Sequence, residues 1–144
     1  MSEHIAIIED QGVMEIQIDR PDKKNALTAA MYRAMIAALA DASARPEIGV
    51  VLIAGRGDAF CAGNDIADFM AGPEGGAAAF DFIQAIAAFD KPLVAAVQGL
   101  AVGVGTTMLF HCDLVYAAPD ARFVMPFVNL GLVPEAGSSL LAPA

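Results

Sequence analysis

The sequence predicts an α/β fold with a mainly parallel sheet, because short β-rich runs alternate with segments of helical periodicity in the order strand, helix, strand. One core fits the size: 144 residues, 57% of them hydrophobic, suit one domain, taken as residues 1–144. Glycines gather where strands give way to helices, above all in "AAVQGLAVGVGTTMLFHCD" at residues 95–113, and mark places where backbone comes close to a ligand.

The elements follow in order. "HIAIIED" and "VMEIQIDR" flank Gln11 and Gly12, and the alternation in the second run predicts a β-hairpin. The loop "RPDKKNALT" ends on Thr28, a suitable N-cap, and apolar Met31, Met35, Ile36 and Leu39 predict a helix over residues 29–44 that Pro46 closes. "IGVVLIAG" predicts a strand covered on both faces. "RGDAFCAGNDIADF" leads from a loop into a short helix. "GPEGG" then predicts a flexible break before a helix over residues 77–89, and Asp90-Lys91-Pro92 ends it. "LVAAVQG" is a second buried strand, "GVGTTMLFHC" a helix, "DLVYAA" a third strand and "ARFVMPFV" an extended turn. "PEAGSSLLAPA" opens a further helix.

Composition excludes several classes of function. A net charge of −9 with only eight Lys and Arg gives no basic footprint for nucleic acid and no polybasic anchor for a membrane. The start "MSEHIAIIED" lacks the basic and long apolar regions of a secretory signal, and apolar runs break well short of the roughly 20 residues of a spanning helix. A cytoplasmic protein with a small ligand is expected. Cys61 and Cys112 read as reduced core thiols, and the consecutive His111, Cys112 and Asp113 cannot face one metal ion from a regular element, so no metal is expected.

Gly99, Gly103 and Gly105, between a strand and a helix, give G-x-x-x-G-x-G, a spacing like that of short-chain dehydrogenases that cradle a pyrophosphate on a helix N-terminus. No Tyr-x-x-x-Lys follows, since Asp120 stands four residues after Tyr116. Close packing alone is the other plain explanation. A second glycine turn, "GRGDAFCAGND" at residues 55–65, also joins a strand to a helix. Two such turns can aim main-chain N–H groups, those of Asn64 and Val104, at one carbonyl oxygen and stabilise an enolate in a dry site.

Together, "RPDKKNALT", "GRGDAFCAGNDIADF", "KPLVAAVQGLAVGVG" and "CDLVYAAPDARFVMPFVNLGLVPEAGSS" resemble the crotonase superfamily of enoyl-CoA hydratases and isomerases over nearly the whole chain. The resemblance implies a crotonase-like ββα spiral core, here without the family's C-terminal helices, and a homotrimer or hexamer for a full-length protein. It implies that the N–H groups of Asn64 and Val104 form a thioester oxyanion hole. It places Ala62, Gly63, Asp65 and Ile66 along the coenzyme A track, with Lys23 and Ala26 opposite. Coenzyme A is then part of the substrate, and no separate cofactor is expected. On residue chemistry alone Asp65 is as well explained as a helix N-cap, and Lys23 and Lys24 as a solvated loop.

The subclass rests on departures from the pattern. Hydratases of the family use two glutamates to hold and activate water, and their positions are occupied here by Thr107 and Phe127. The segment "NLGLVPEAGSS", with "GND" at residues 63–65, looks like the peroxisomal type of Δ3,Δ2-enoyl-CoA isomerase and its bacterial relatives, in which one acid at the position of Glu135 is the base. Taken without that context, Glu135 reads as a first-turn acid at a helix N-terminus. The resemblance makes it the catalytic group, in a pocket walled by Phe127, Leu130 and Leu132, with Phe127 in contact with substrate. Hydration, another crotonase reaction, and a non-catalytic acyl-CoA-binding module are the alternatives. Ser138 and Ser139 lie in no nucleophile elbow and read as capping or surface residues.

Overall fold

The computed structural model describes residues 2–143. β1 (Ile5–Asp10) and β2 (Val13–Ile18) form the expected hairpin. Gln11 and Gly12 turn it with φ of 48° and 82°, the pair of left-handed residues that matches the twist of an antiparallel ribbon. β3 (Val50–Gly55), β4 (Leu93–Val97) and β6 (Leu114–Ala117) continue the sheet in the order β1-β2-β3-β4-β6, each parallel to its neighbour from β2 onward.

α1 (Ala29–Ala44) starts as expected at Thr28, whose hydroxyl accepts from the Met31 N–H at 3.3 Å. The Asp68 carboxylate accepts from the Ala29 N–H at 2.8 Å, so two of the helix's orphan donors are satisfied. Met31, Met35 and Leu39 face the core with Tyr32, Ala38 and Ala42, while Ile36 sits half-buried at the stripe's edge. α3 (Pro73–Ala88) packs against α1, with the Tyr32 and Phe82 rings 5.4 Å apart and inclined at 43°.

Three expectations are corrected. "GPEGG" is not a flexible break, because α3 already begins at Pro73: Gly72 is the N-cap and Pro73 fills a first-turn position that needs no N–H. Gly75 serves packing, since a Cβ there would lie 2.8 Å from the Phe69 Cα of α2 (Ile66–Met70). β3 is covered on one face rather than two. The rows Met14-Val51-Leu93 and Ile16-Ile53-Ala95 are buried, whereas Leu52, Ala54, Val94 and Ala96 on the other face are only half-buried. Finally, "ARFVMPFV" contains β7 (Arg122–Val124), which pairs in parallel with β5 (Leu100–Val102) as a second, two-stranded sheet.

β5 lies inside the glycine-rich segment and delivers the chain to α4 (Val104–Thr107), which tightens into a 3-10 turn at Met108–His111. Thr106 Oγ1 donates to the Ala101 carbonyl at 2.5 Å and accepts from the Val124 N–H at 3.2 Å, tying the start of α4 to both short strands. A one-turn α5 (Ser138–Leu141) follows the segment that bears Glu135. No helix among the described residues is long and apolar enough to cross a membrane.

Candidate active site

The two glycine turns pack backbone on backbone. A Cβ on Gly105 would lie 2.3 Å from the Cys61 carbonyl oxygen, one on Gly63 (φ 92°) 2.8 Å from that of Val102, and one on Gly99 (φ 60°) 1.9 Å from that of Asp58. Phe60 and Cys61 donate to the Leu100 carbonyl, and the Val102 N–H returns a bond to Cys61 at 2.9 Å. Close packing therefore accounts for these glycines without a pyrophosphate, and the same packing brings Asn64 and Val104 to one place.

Among the described residues, two main-chain donors of these turns that line the same cavities have no protein partner. Leu27 and Asn64 form a parallel bridge in which the Leu27 N–H bonds Gly63 O at 2.7 Å and the Asp65 N–H bonds Leu27 O at 2.8 Å. Such a bridge uses the groups on either side of Asn64 and leaves its own N–H turned away. Val104 opens α4, where a first-turn N–H has no helical partner. Neither N–H donates to another protein group among the described residues. Buried main-chain donors are nearly always paired, so two free ones side by side suit a ligand oxygen.

Asn64 and Val104 line two adjoining cavities. One, of about 320 Å³, runs under α3 past Tyr32, Ala79, Phe80 and Ile83. The other, of about 340 Å³, is walled by Ala62, Gly63, Ile66, Val102, Phe127, Leu130 and Leu132. Glu135 lines both and, among the described residues, is the only acidic side chain in either. The residue is exposed to solvent overall, yet partial desolvation by these walls raises its carboxyl above its ordinary value. Phe127, Leu130 and Leu132 line the second cavity together with Glu135; Phe127 is buried, and the two leucines remain largely open to solvent.

The residues expected along a coenzyme A track divide. Ala62, Gly63 and Ile66 line the second cavity. Lys23, at the end of the exposed turn Pro21–Lys23, and the half-buried Ala26 line neither. Asp65 also lines neither and is committed elsewhere: it caps α2 by accepting from the Asp68 N–H at 3.0 Å and pairs with Arg20 Nη1 at 2.7 Å. These contacts, the Asp68 N–H first, hold its carboxyl below the usual range. Its side chain therefore shapes the loop from within.

Two anchoring residues carry no sequence signal. Asn25, left-handed at φ 61° and fully buried, accepts from the Arg20 N–H at 2.8 Å and donates to the carbonyls of Arg56 and Ala59 at 2.9 and 2.8 Å. It fastens "RPDKKNALT" to the first glycine turn. Tyr32 is buried at the end of the first cavity and donates its hydroxyl to Asn64 Oδ1. Its hydroxyl's partner lies 32 residues away in sequence. Thr107 is buried, and its hydroxyl has no partner among the described residues.

His111, Cys112 and Asp113 point apart. His111 Nε2 bonds Ala136 O at 2.8 Å, and Asp113 accepts from the Leu93 N–H at 2.8 Å. Among the described residues no three His, Cys, Asp or Glu side chains converge as metal ligands. Burial pushes the Cys61 and Cys112 thiols up to about 12.

The sequence pattern of the enoyl-CoA hydratase/isomerase family matches residues 9–143, and the chain belongs to that family. It is 38% identical to enoyl-CoA delta isomerase 2 of Rattus norvegicus over 99% of this chain and 38% of that protein. Among solved structures, OdaA of Pseudomonas aeruginosa superposes with a TM-score of 0.90 at 51% identity, covering 99% of this chain and 58% of that one. An enoyl-CoA hydratase/isomerase from Pseudoalteromonas atlantica T6c gives 0.92 at 43%, covering 98% and 56%. The fold is thus the crotonase α/β fold, and the chain spans 38% of the length of the first curated relatives. Other relatives are named as enoyl-CoA hydratases.

Proposed function

We propose that this member of the enoyl-CoA hydratase/isomerase family moves the double bond of a 3-enoyl-CoA thioester from C3 to C2. The Glu135 carboxylate removes a proton from C2, and the electron pair spreads through the C3 double bond and the carbonyl as a dienolate. The N–H groups of Asn64 and Val104 receive the negative charge on the thioester oxygen. The now neutral Glu135 returns the proton to C4, which leaves the conjugated 2-enoyl thioester and regenerates the carboxylate. A raised carboxyl pKa suits both halves of this shuttle.

One observation carries the reading: among the described residues Glu135 is the single acid on cavities also lined by Asn64 and Val104, whose N–H groups have no protein partner. Hydration calls for a second carboxylate to hold water, and Thr107 and Phe127 offer none. In the same proposal Ala62, Gly63 and Ile66 flank the thiol-bearing arm of coenzyme A, Lys23 and Ala26 lie beyond it toward the nucleotide, and the complete protein acts as a homotrimer or hexamer in fatty-acid β-oxidation. No cofactor enters the reaction.

Assaying the complete protein with a 3-enoyl-CoA and a 2-enoyl-CoA in parallel tests it. Conjugation of the first without hydration of the second is expected. Dominant hydration would overturn the assignment, and binding of a saturated acyl-CoA without turnover of either would make the protein a binding module.

A further inference from the structure

We propose that His111 is a positioning residue that holds the Glu135 carboxylate in place through the main chain; this rests on Glu135 being the base. The Ala136 carbonyl can only accept, so His111 Nε2 carries the proton in their 2.8 Å hydrogen bond. That bond stands alone. Every other hydrogen bond made by residues 125–143 stays within the segment among the described residues, whether at Leu130, Gly131, Leu132, Ser138 or the turn of α5. Two buried side chains, Phe127 and Ser138, also seat the segment, and the Ser138 hydroxyl has no partner among the described residues.

The bond falls on a strained point. Ala136 and Gly137 have φ of 55° and 69°, and the Ser138 N–H closes the turn on Glu135 O at 2.9 Å. Gly137 takes this conformation freely, whereas Ala136 pays a steric cost for its Cβ. This four-residue turn with two left-handed centres begins at Glu135, which lines both cavities. His111 clamps the strained peptide from the end of the 3-10 turn that continues α4, the helix begun by Val104. The proton-transfer group and one oxyanion donor are thereby referred to the same short helical unit. A displacement of about 1 Å at a reacting group costs roughly 100-fold in rate, so the one hydrogen bond that ties this turn to the rest of the described fold matters to the chemistry.

The test compares His111→Phe and His111→Gln in the complete protein, with Glu135→Gln as reference. Gln can place its amide donor close to the position of Nε2; Phe fills the space and donates nothing. The Phe variant is expected to lose about 10- to 100-fold in kcat for 3-enoyl-CoA conjugation with KM within about twofold, and the Gln variant to recover most of it. Amide exchange over residues 132–138 should quicken about 3- to 10-fold in the Phe variant and revert with Gln, as expected for one net hydrogen bond. Unchanged kcat in the Phe variant, or a loss that Gln does not restore, overturns the proposal. If Glu135→Gln itself stays active, the assignment of the base fails instead, and amide exchange alone decides whether His111 anchors the turn.

Discussion

The Tyr32 hydroxyl donates to Asn64 Oδ1, joining the buried face of α1 to a residue whose main-chain N–H has no protein partner among the described residues. Burial, with smaller contributions from Cys61 and Glu135, pushes the phenol well above its ordinary value, so it remains a donor at every working pH. Tyr32→Phe should therefore lower stability by about 1 kcal/mol. Loosening of the Asn64 loop should also cost about tenfold in kcat with little change in acyl-CoA affinity. Urea unfolding and steady-state kinetics on one preparation read both.

Gly105→Ala should be disabling, because its Cβ would lie 2.3 Å from the Cys61 carbonyl oxygen, and neither turn can yield without separating Asn64 from Val104. A loss of more than about 2 kcal/mol is expected, with turnover abolished. Gly72→Ser is the contrast: Gly72 has an extended φ of 170° and open space for a side chain. Serine is an acceptable N-cap, so stability should shift by only a few tenths of a kcal/mol. Thermal melts of the two variants should differ accordingly.

Glu135 and Asp65 should give pH effects of opposite sign. The Glu135 carboxyl is raised by desolvation, so the folded state favours its neutral form; its contribution to stability is present below the ordinary carboxylate value and is lost as pH rises through the raised one. Activity runs the other way, because the base must be ionised, and kcat/KM should climb through the same window. Asp65 is depressed by the Asp68 N–H and Arg20, so its contribution is present above the ordinary value and disappears as pH falls through the folded one. Asp65→Asn should cost about 1–2 kcal/mol at neutral pH and converge with the parent in acid. Unfolding measured across the acid range checks both signs.

Cys61, fully buried with Sγ accepting from the Gly63 N–H at 3.4 Å, and Cys112 both have thiols pushed up to about 12. Neither should react with a thiolate-selective alkylating agent at neutral pH until the protein unfolds. Rapid native labelling of either would contradict this.

Much of the fold was legible because its signals are local. The hairpin rests on the Gln11-Gly12 turn, α1 on Thr28 and its apolar stripe, and the parallel strands on their β-rich runs. What escaped depends on distant partners. Three-residue strands such as β5 and β7 have too little period to register, and each is a strand only because the other lies beside it. The glycines of "GPEGG" looked like a break, and only Phe69 packed against Gly75 reveals why a helix tolerates them.

The candidate site divides in the same way. Glu135 was singled out through the resemblance to the crotonase superfamily, and Asn64 and Val104 through that resemblance and the glycine turns that carry them, since a main-chain donor leaves no side-chain mark. Asn25, Tyr32 and His111 were missed as site-forming residues because their partners are 31 to 34, 32 and 25 positions away. Asp65 showed the reverse, a charge in a suggestive loop whose oxygens serve Arg20 and the Asp68 N–H.

The most direct measurement of the central claim is turnover of a 3-enoyl-CoA by Glu135→Gln in the complete protein, with the affinity for a saturated acyl-CoA measured alongside. A fall in kcat of at least about 1,000-fold with affinity within about threefold is predicted, because the amide keeps the shape of the site and removes its base. Turnover near that of the parent protein would contradict the account.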